Sequence, residues 1–280
     1  MTTVLKLGGE LLEDAAAIGS AAAGILRLAS RGPIAVVHGG GRAIDAELRR
    51  RGLTPRFADG LRVTDADTLD AVVTVLAGRT NTQLVAAVNA AGGKGVGLTG
   101  ADAQLGLCAP VAPIRTQSGE IIDLGLVGEP ASCNATFLEE LLHGGYVPVV
   151  ASIGITADGA LLNVNADTFA AHLASALSAD RLIVAGKTPG VLDAEGRTIP
   201  SLGEAEIDAM TAAGTAHSGM IAKLSACRHA VRHGVGEVSI VGGRDTTDFE
   251  SAPGTRIRAQ VPARSAGLPP APQAFATAPR

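Results

Sequence analysis

Thr3-Val4-Leu5-Lys6-Leu7-Gly8-Gly9 is an apolar run with one ammonium group near its exit, leading directly into two glycines. Aliphatic residues flank Lys6 on both sides, which predicts a strand buried on both faces, as in a parallel sheet. A charge at that place is costly unless an anion meets it. Working outward, residues 14–29 read as an Ala-rich helix with Ile18, Ile25 and Leu28 on its buried side, closed by Arg31-Gly32-Pro33. Residues 34–37 read as a second strand, followed by His38, Gly39-Gly40-Gly41 and a helix over 42–51. Strand, glycine run, helix is the order that turns backbone N–H groups and a helix N-terminus toward an anion.

The alternation continues. Thr64 is expected to cap a helix running to about residue 77, with Asp67 in its first turn, and a second helix starts near Asn81. A strand is expected at 95–99, hairpins between 109 and 127 broken at Ser118-Gly119, a helix at 135–142 and a strand at 146–151. The second half gives a turn at Asp158-Gly159, a helix from Asp167 to about 177, strands at 181–185 and 237–241, and helices at 207–213 and 220–233. Strands alternating with helices predict an α/β fold, a mainly parallel central sheet sandwiched between helices. Residues 1–151 and 152–257 read as two lobes, and the Pro-, Ala- and Ser-rich 258–280 as a mobile tail.

Composition narrows the function. The chain has 280 residues, 46% of them apolar, but only 2% aromatic and no Trp, so bases stacked on aromatic platforms are not its working principle. A formal charge of −4 and a pI of about 5.9 argue against nucleic acid or an anionic membrane held by bulk electrostatics. No run reaches the roughly 18 uninterrupted apolar residues of a membrane span. The scattered Cys108, Cys133 and Cys227 suggest neither disulfides nor zinc and fit a reducing cytoplasm, and the start of the chain has no signal-peptide pattern.

Four features bear on chemistry: Lys6 with Gly8-Gly9, the glycine run at 39–41, the Asn163/Asn165/Asp167 cluster, and Ser218-Gly219-Met220 followed by Lys223. Phosphoryl transfer needs donors that neutralise phosphate oxygens and hold the partners in line. Two lysines and two glycine turns supply such parts. The glycine run matches neither GxGxxG nor GxxxxGK[ST], which disfavours dinucleotide-binding and P-loop readings. Taken singly, each feature has a plainer reading: a turn, a surface ion pair at Arg62, a helix cap at Asp167. His38 reads as a strand-end structural residue. Cys227 and Met220 read as core or pocket lining.

In order along the chain, VLKLGGE, VVHGGGRAID, DGLRVTDADTL, VLAGRTN, GLTGAD, NVNAD and SGMIAK resemble the amino acid kinase family, and within it the branch that acts on N-acetyl-L-glutamate. The resemblance reaches to about Ile257. It implies ATP-dependent phosphorylation of the side-chain carboxylate of N-acetyl-L-glutamate, a step of arginine biosynthesis, with the acceptor in the N-terminal half and the nucleotide in the C-terminal half. By the same resemblance, Lys6 and Lys223 would stabilise the transferring phosphoryl group and Asp167 would hold both lysines. Gly40 and Gly41 would offer N–H groups to the reacting anions, Arg62 would pair with the second carboxylate of the acceptor, and Asn163 and Asn165 would bind or support it. Gly8, Gly9, Lys187, Thr188, Gly190 and Gly219 would border the nucleotide, and Mg²⁺ would come with its phosphates.

One departure stands out. The family usually has an acidic residue in a segment like TDVPGVL, where this chain reads Gly186-Lys187-Thr188-Pro189-Gly190-Val191-Leu192. Lys187 reverses a charge beside the expected nucleotide, and Ala222 replaces a common proline. Lys6 comes too early to leave room for the helix that arginine-inhibited relatives carry before the first strand, so a homodimer insensitive to arginine is expected. Two alternatives stay open: a kinase for a related small acid, and a catalytically weak ligand-binding sensor, the latter motivated by Lys187.

Overall fold

A computed structural model describes residues 1–116, 118–212, 218–244 and 246–259. Residues 260–280 of the expected tail, and the last residue of the helix expected at 207–213, lie outside it. Strands β1 (Thr3–Leu7), β2 (Ile34–His38), β3 (Gly95–Thr99), β4 (Val147–Ala151), β5 (Arg181–Gly186), β6 (Ser201–Leu202), β7 (Glu237–Gly242) and β8 (Gly254–Ile257) form one eight-stranded sheet, ordered β6-β8-β7-β5-β1-β2-β4-β3. Every pairing is parallel except that of β7 with β8. β1 lies between β2 and β5, with Lys6 opposite Val37 on one side and Val184 on the other. The sheet is therefore continuous across the two halves of the chain.

Helices cover both faces, which is why the inner strands carry apolar residues on both sides. On one face, Leu5 and Leu7 share a core with Ile18 and Ile25 of α1 (Ala15–Ala29) and with Leu84 and Val88 of a helix at Asn81–Ala90. On the other, Val4 and Val37 share a core with Phe169, Ala170 and Leu173 of Ala166–Ala176 and Leu224 of Ser218–Arg232. α1 starts where its cap dictates: Asp14 accepts from Ala17 N–H at 2.8 Å.

Three local expectations need correction. Asp65, not Thr64, caps the helix α3 (Ala66–Val73), accepting from Thr68 N–H at 2.9 Å. Thr64 is engaged elsewhere: its hydroxyl donates to Arg62 O at 3.1 Å and accepts from Asn163 Nδ2 at 3.0 Å. Nor does α3 stop near residue 77. It passes through a π-helical stretch at Thr74–Thr80 into Asn81–Ala90, and Ala66–Ala90 is one run. By length and composition that run is apolar enough to span a bilayer, yet its Val72, Val75, Leu76, Leu84 and Val88 are buried within the protein. Finally, the hairpins expected between 109 and 127 do form, Ile114–Arg115 with Ile121–Ile122 inside the antiparallel pair Gly106–Pro110 with Val127–Cys133, but the outer pair belongs to a small closed barrel and not to the main sheet. Gly106–Pro110, Val127–Cys133, Ile153–Ile155 and Leu161–Val164 make that barrel, standing beside the C-terminal ends of the main strands.

Candidate active site

Side chains alternate along a strand, so Lys6 shares a face with Val4. Val4 lies in the core that contains Ala170 and Leu173, and the same face carries Lys6 toward the start of the helix at Ala166–Ala176. That helix begins at Asn165, whose Oδ1 accepts from Asp167 N–H at 2.9 Å and Thr168 N–H at 3.1 Å. Asp167 therefore sits in the first turn, where the helix dipole favours a carboxylate, and is not itself the cap. Lys223 arrives from the helix Ser218–Arg232. Lys6 Nζ is 2.8 Å and Lys223 Nζ 2.9 Å from one oxygen, Asp167 Oδ1. The three side chains are only 8%, 15% and 11% exposed, in the order Lys6, Lys223, Asp167.

The electrostatics follow from that burial. Desolvation alone would raise the Asp167 carboxyl, but two adjacent ammonium groups outweigh it and bring it down to about 2. Burial pulls the Lys6 ammonium below its ordinary value more strongly than Asp167 restores it. For Lys223, burial pulls the same way but Asp167 wins, and its pKa is raised. The cluster carries two positive charges against one negative, and is built to receive a further anion.

Two glycine turns face it. A Cβ on Gly9 would lie 2.5 Å from Gly40 Cα, so the turns after β1 and β2 are in backbone contact that only glycine permits. Gly41 opens the next helix, α2 (Gly41–Arg50), whose first N–H groups have no partner within the helix. Around them is a cavity of about 420 Å³, lined among others by Lys6, Gly9, Gly40, Gly41, Arg62 and Asp167. Asn163 and Asn165 line it too.

Arg62 Nη2 lies 2.7 Å from Asp45 Oδ1 and donates to Gly41 O at 3.2 Å, and the guanidinium sits 4.7 Å from the Phe57 ring centroid. The Asp45 contact is close but poorly aligned. Asp45 Oδ1 and Arg62 Nη1 are both buried without a hydrogen-bond partner, leaving this guanidinium with unused donor capacity. His38 is fully buried and neutral: burial lowers its imidazole to about 4, and it contacts Gly39 O through Nδ1 at 3.2 Å and Asn81 Nδ2 through Nε2 at 3.1 Å.

The residues expected to border the nucleotide divide differently. Lys187, Thr188 and Gly219 are exposed and outside the cavity lining. Gly190 is buried at φ +100°, where a Cβ would meet Thr255 Oγ1 at 2.6 Å; its turn lets Val191 N–H donate to that hydroxyl at 2.8 Å. Gly8 N–H is engaged by Ala185 O at 2.9 Å. Asp45, Phe57 and Glu10 belong to no pattern that marks them as site residues in the sequence. For Asp45 the one available signal is its place four residues after Gly41, one helical turn further.

The chain matches the profile described as the Amino acid kinase family over residues 1–242. It is 42% identical over 243 residues to the acetylglutamate kinase of Jannaschia sp. strain CCS1, covering 86% of this chain and 82% of that one. To the acetylglutamate kinase of Koribacter versatilis strain Ellin345 it is 43% identical over 243 residues, covering 86% and 90%. Among solved structures, N-acetylglutamate synthase from Neisseria gonorrhoeae, in complex with coenzyme A and N-acetyl-glutamate, superposes with a TM-score of 0.79 at 23% identity, over 92% of this chain and 59% of that one.

Proposed function

Since the chain belongs to the amino acid kinase family, we infer that it phosphorylates N-acetyl-L-glutamate, transferring the γ-phosphoryl group of ATP to the side-chain carboxylate and giving N-acetyl-L-glutamyl 5-phosphate and ADP. The reaction serves amino-acid biosynthesis. The observation that carries the mechanism is the convergence of Lys6 and Lys223 on one Asp167 oxygen.

Phosphoryl transfer asks the protein for positioning and charge stabilisation more than for covalent work. The acceptor carboxylate is ionised at neutral pH, so no base is required. Lys6 and Lys223, held by Asp167, face the charge that spreads over the transferring group, while N–H groups at Gly40 and Gly41 meet the acceptor carboxylate and the incoming phosphoryl. Arg62, with its unused donor at Nη1, takes the second carboxylate of the acceptor in a charge-assisted pair. Asn163 contacts the acceptor and Asn165 fixes the helix start that carries Asp167. The nucleotide lies toward residues 152–257, bordered by Gly8, Gly9, Lys187, Thr188, Gly190 and Gly219, with the acceptor in 1–151. Asp167 is already engaged by two ammonium groups, so Mg²⁺ enters on the nucleotide phosphates, where it would neutralise their charge.

The test is ADP release at saturating MgATP with acetylglutamate, glutamate, aspartate and carbamate in parallel. Turnover with acetylglutamate alone supports the reading. Preference for another acid, or acetylglutamate binding by calorimetry without ADP formation, overturns it. The accompanying proposal is a cytoplasmic homodimer insensitive to arginine; a hexamer by light scattering, or strong inhibition of ADP release by arginine, counts against it.

A further inference from the structure

Glu10 is a carboxylate that the mechanism above does not use, and it lines the same cavity as Lys6 and Asp167. Its Oε1 accepts from Lys187 N–H at 3.1 Å. The same oxygen lies 2.4 Å from where a Cβ on Gly8 would be and 3.3 Å from where one on Gly186 would be. Two glycines, at the ends of adjacent strands β1 and β5, thus leave a notch that the carboxylate fills. Glu10 lines the 420 Å³ cavity and also a second one of about 320 Å³ beside the start of α1, so it forms the wall between them. Lys6 and Lys223 both feel it as a stabilising charge.

The charges explain why a carboxylate sits there. Lys6 and Lys223 against Asp167 leave one positive charge in excess in a poorly solvated place, which is costly uncompensated. Glu10 brings the balance to zero. A backbone N–H, two glycines and nearby ammonium groups are also the parts of a phosphate site. We propose that Glu10 is the resident anion of the polyphosphate subsite: its carboxylate and nucleotide phosphate compete for the Lys187 N–H, and phosphate displaces it. This rests on the kinase reading, and it assigns Glu10 the role of setting nucleotide affinity by competition. The nucleotide arrives with several negative charges, so the Glu10 charge becomes surplus once phosphate enters, and the carboxylate turns away from the notch.

The competition predicts a sign that a supporting role would not. Glu10→Gln keeps an acceptor for Lys187 N–H and removes only the charge. Calorimetric titration of the full chain with ADP, in EDTA and in excess Mg²⁺, should show Glu10→Gln binding ADP about tenfold more tightly than wild type without metal, the worth of one charge-assisted hydrogen bond. Glu10→Ala should show the same tightening, with thermal melting recording that each variant is folded. Unchanged affinity in both variants, or weaker binding confined to the Mg²⁺ series as expected of a residue facing the metal, overturns the proposal. Wild type that binds no ADP at all would instead overturn the kinase reading.

Discussion

Asp167→Asn is the most informative single change, because it removes one charge and almost no volume. In the folded protein Asp167 Oδ1 meets Lys6 Nζ at 2.8 Å and Lys223 Nζ at 2.9 Å, with all three side chains largely buried. Linkage gives the sign and the order of magnitude of what the carboxylate contributes. Its folded pKa of about 2 lies below the ordinary 3.8, so its stabilisation is fully present above about pH 4 and is lost as the pH falls through about 2. That difference corresponds to about 2 kcal/mol. The substitution removes the same charge that protonation removes, so its cost starts at about 2 kcal/mol and approaches the roughly 3–5 kcal/mol of breaking a buried ion pair where the amide packs less well against the two ammonium groups. For a chain of this size the melting temperature should fall by roughly 10 °C. Turnover should fall by about 10²–10³, the range seen when one fixed electrostatic element is removed.

A generic core defect would also lower the melting temperature, so the discriminating measurement is the effect of an anion. ADP or inorganic phosphate should raise the melting temperature of Asp167→Asn by more degrees than that of wild type, because added phosphate replaces the missing negative charge. A variant that melts within two degrees of wild type, gains no more from phosphate and keeps more than about a tenth of its turnover would show that Asp167 does not organise the two lysines.

Other perturbations separate the remaining roles. Lys223→Ala should depress kcat by at least about a hundredfold while changing the acceptor KM little, since its contact strengthens in the transition state; equal losses in both would contradict that. Gly9→Ala places a Cβ 2.5 Å from Gly40 Cα and should cost about 1–3 kcal/mol in urea unfolding along with activity. Gly41→Ala meets nothing within 4 Å, so it should melt like wild type yet raise the acceptor KM about tenfold if its backbone approaches the acceptor closely. His38 is lowered to about 4 from 6.5, so it favours the fold above about pH 6.5 and that support is lost as the pH falls toward 4. Between pH 7 and 5 wild type should therefore lose about 2 kcal/mol more stability than His38→Gln, read from urea midpoints at each pH.

Much of the fold is visible in local pattern, and the exceptions share a cause. An apolar run such as residues 3–7 reads as a buried strand on its own, and the Ala-rich run at 14–29 reads as a helix, whose first residue Asp14 proves to be its cap. Thr64 and Asp65 are both good caps, and neighbours far along the chain choose between them: Asn163 takes the Thr64 hydroxyl, leaving Asp65 to the helix. The small barrel is similarly hidden, since Gly106 pairs with Cys133 and Leu107 with Ile155, and neither partner leaves a local period. Lys6 was legible because a charge inside an apolar strand demands a partner. Glu10 was not, because a carboxylate after a glycine turn needs none, and its partner Lys187 N–H is 177 residues away.

The place of the cluster in the sheet follows from the order of its strands. The chain leaves β1 for β2 on one side, whereas β5 lies on the other and leads to β6, β7 and β8, all on that side. The direction of travel therefore reverses at the β1–β5 pair. Connections diverging at such a point leave a crevice outside the carboxyl ends of the strands, where ligands bind in open α/β sheets. Lys6 is at the carboxyl end of β1, Gly8-Gly9 follows it, and Gly186 ends β5. Glu10 crosses that same crevice to reach Lys187. Topology thus fixes where an anion goes, and the residues then decide which: had position 6 been another aliphatic residue, the crevice would remain but Asp167 would face Lys223 alone, a balanced pair that leaves no positive charge for either Glu10 or an incoming phosphate to meet. The lysine in the first strand is what converts an ion pair into an anion site.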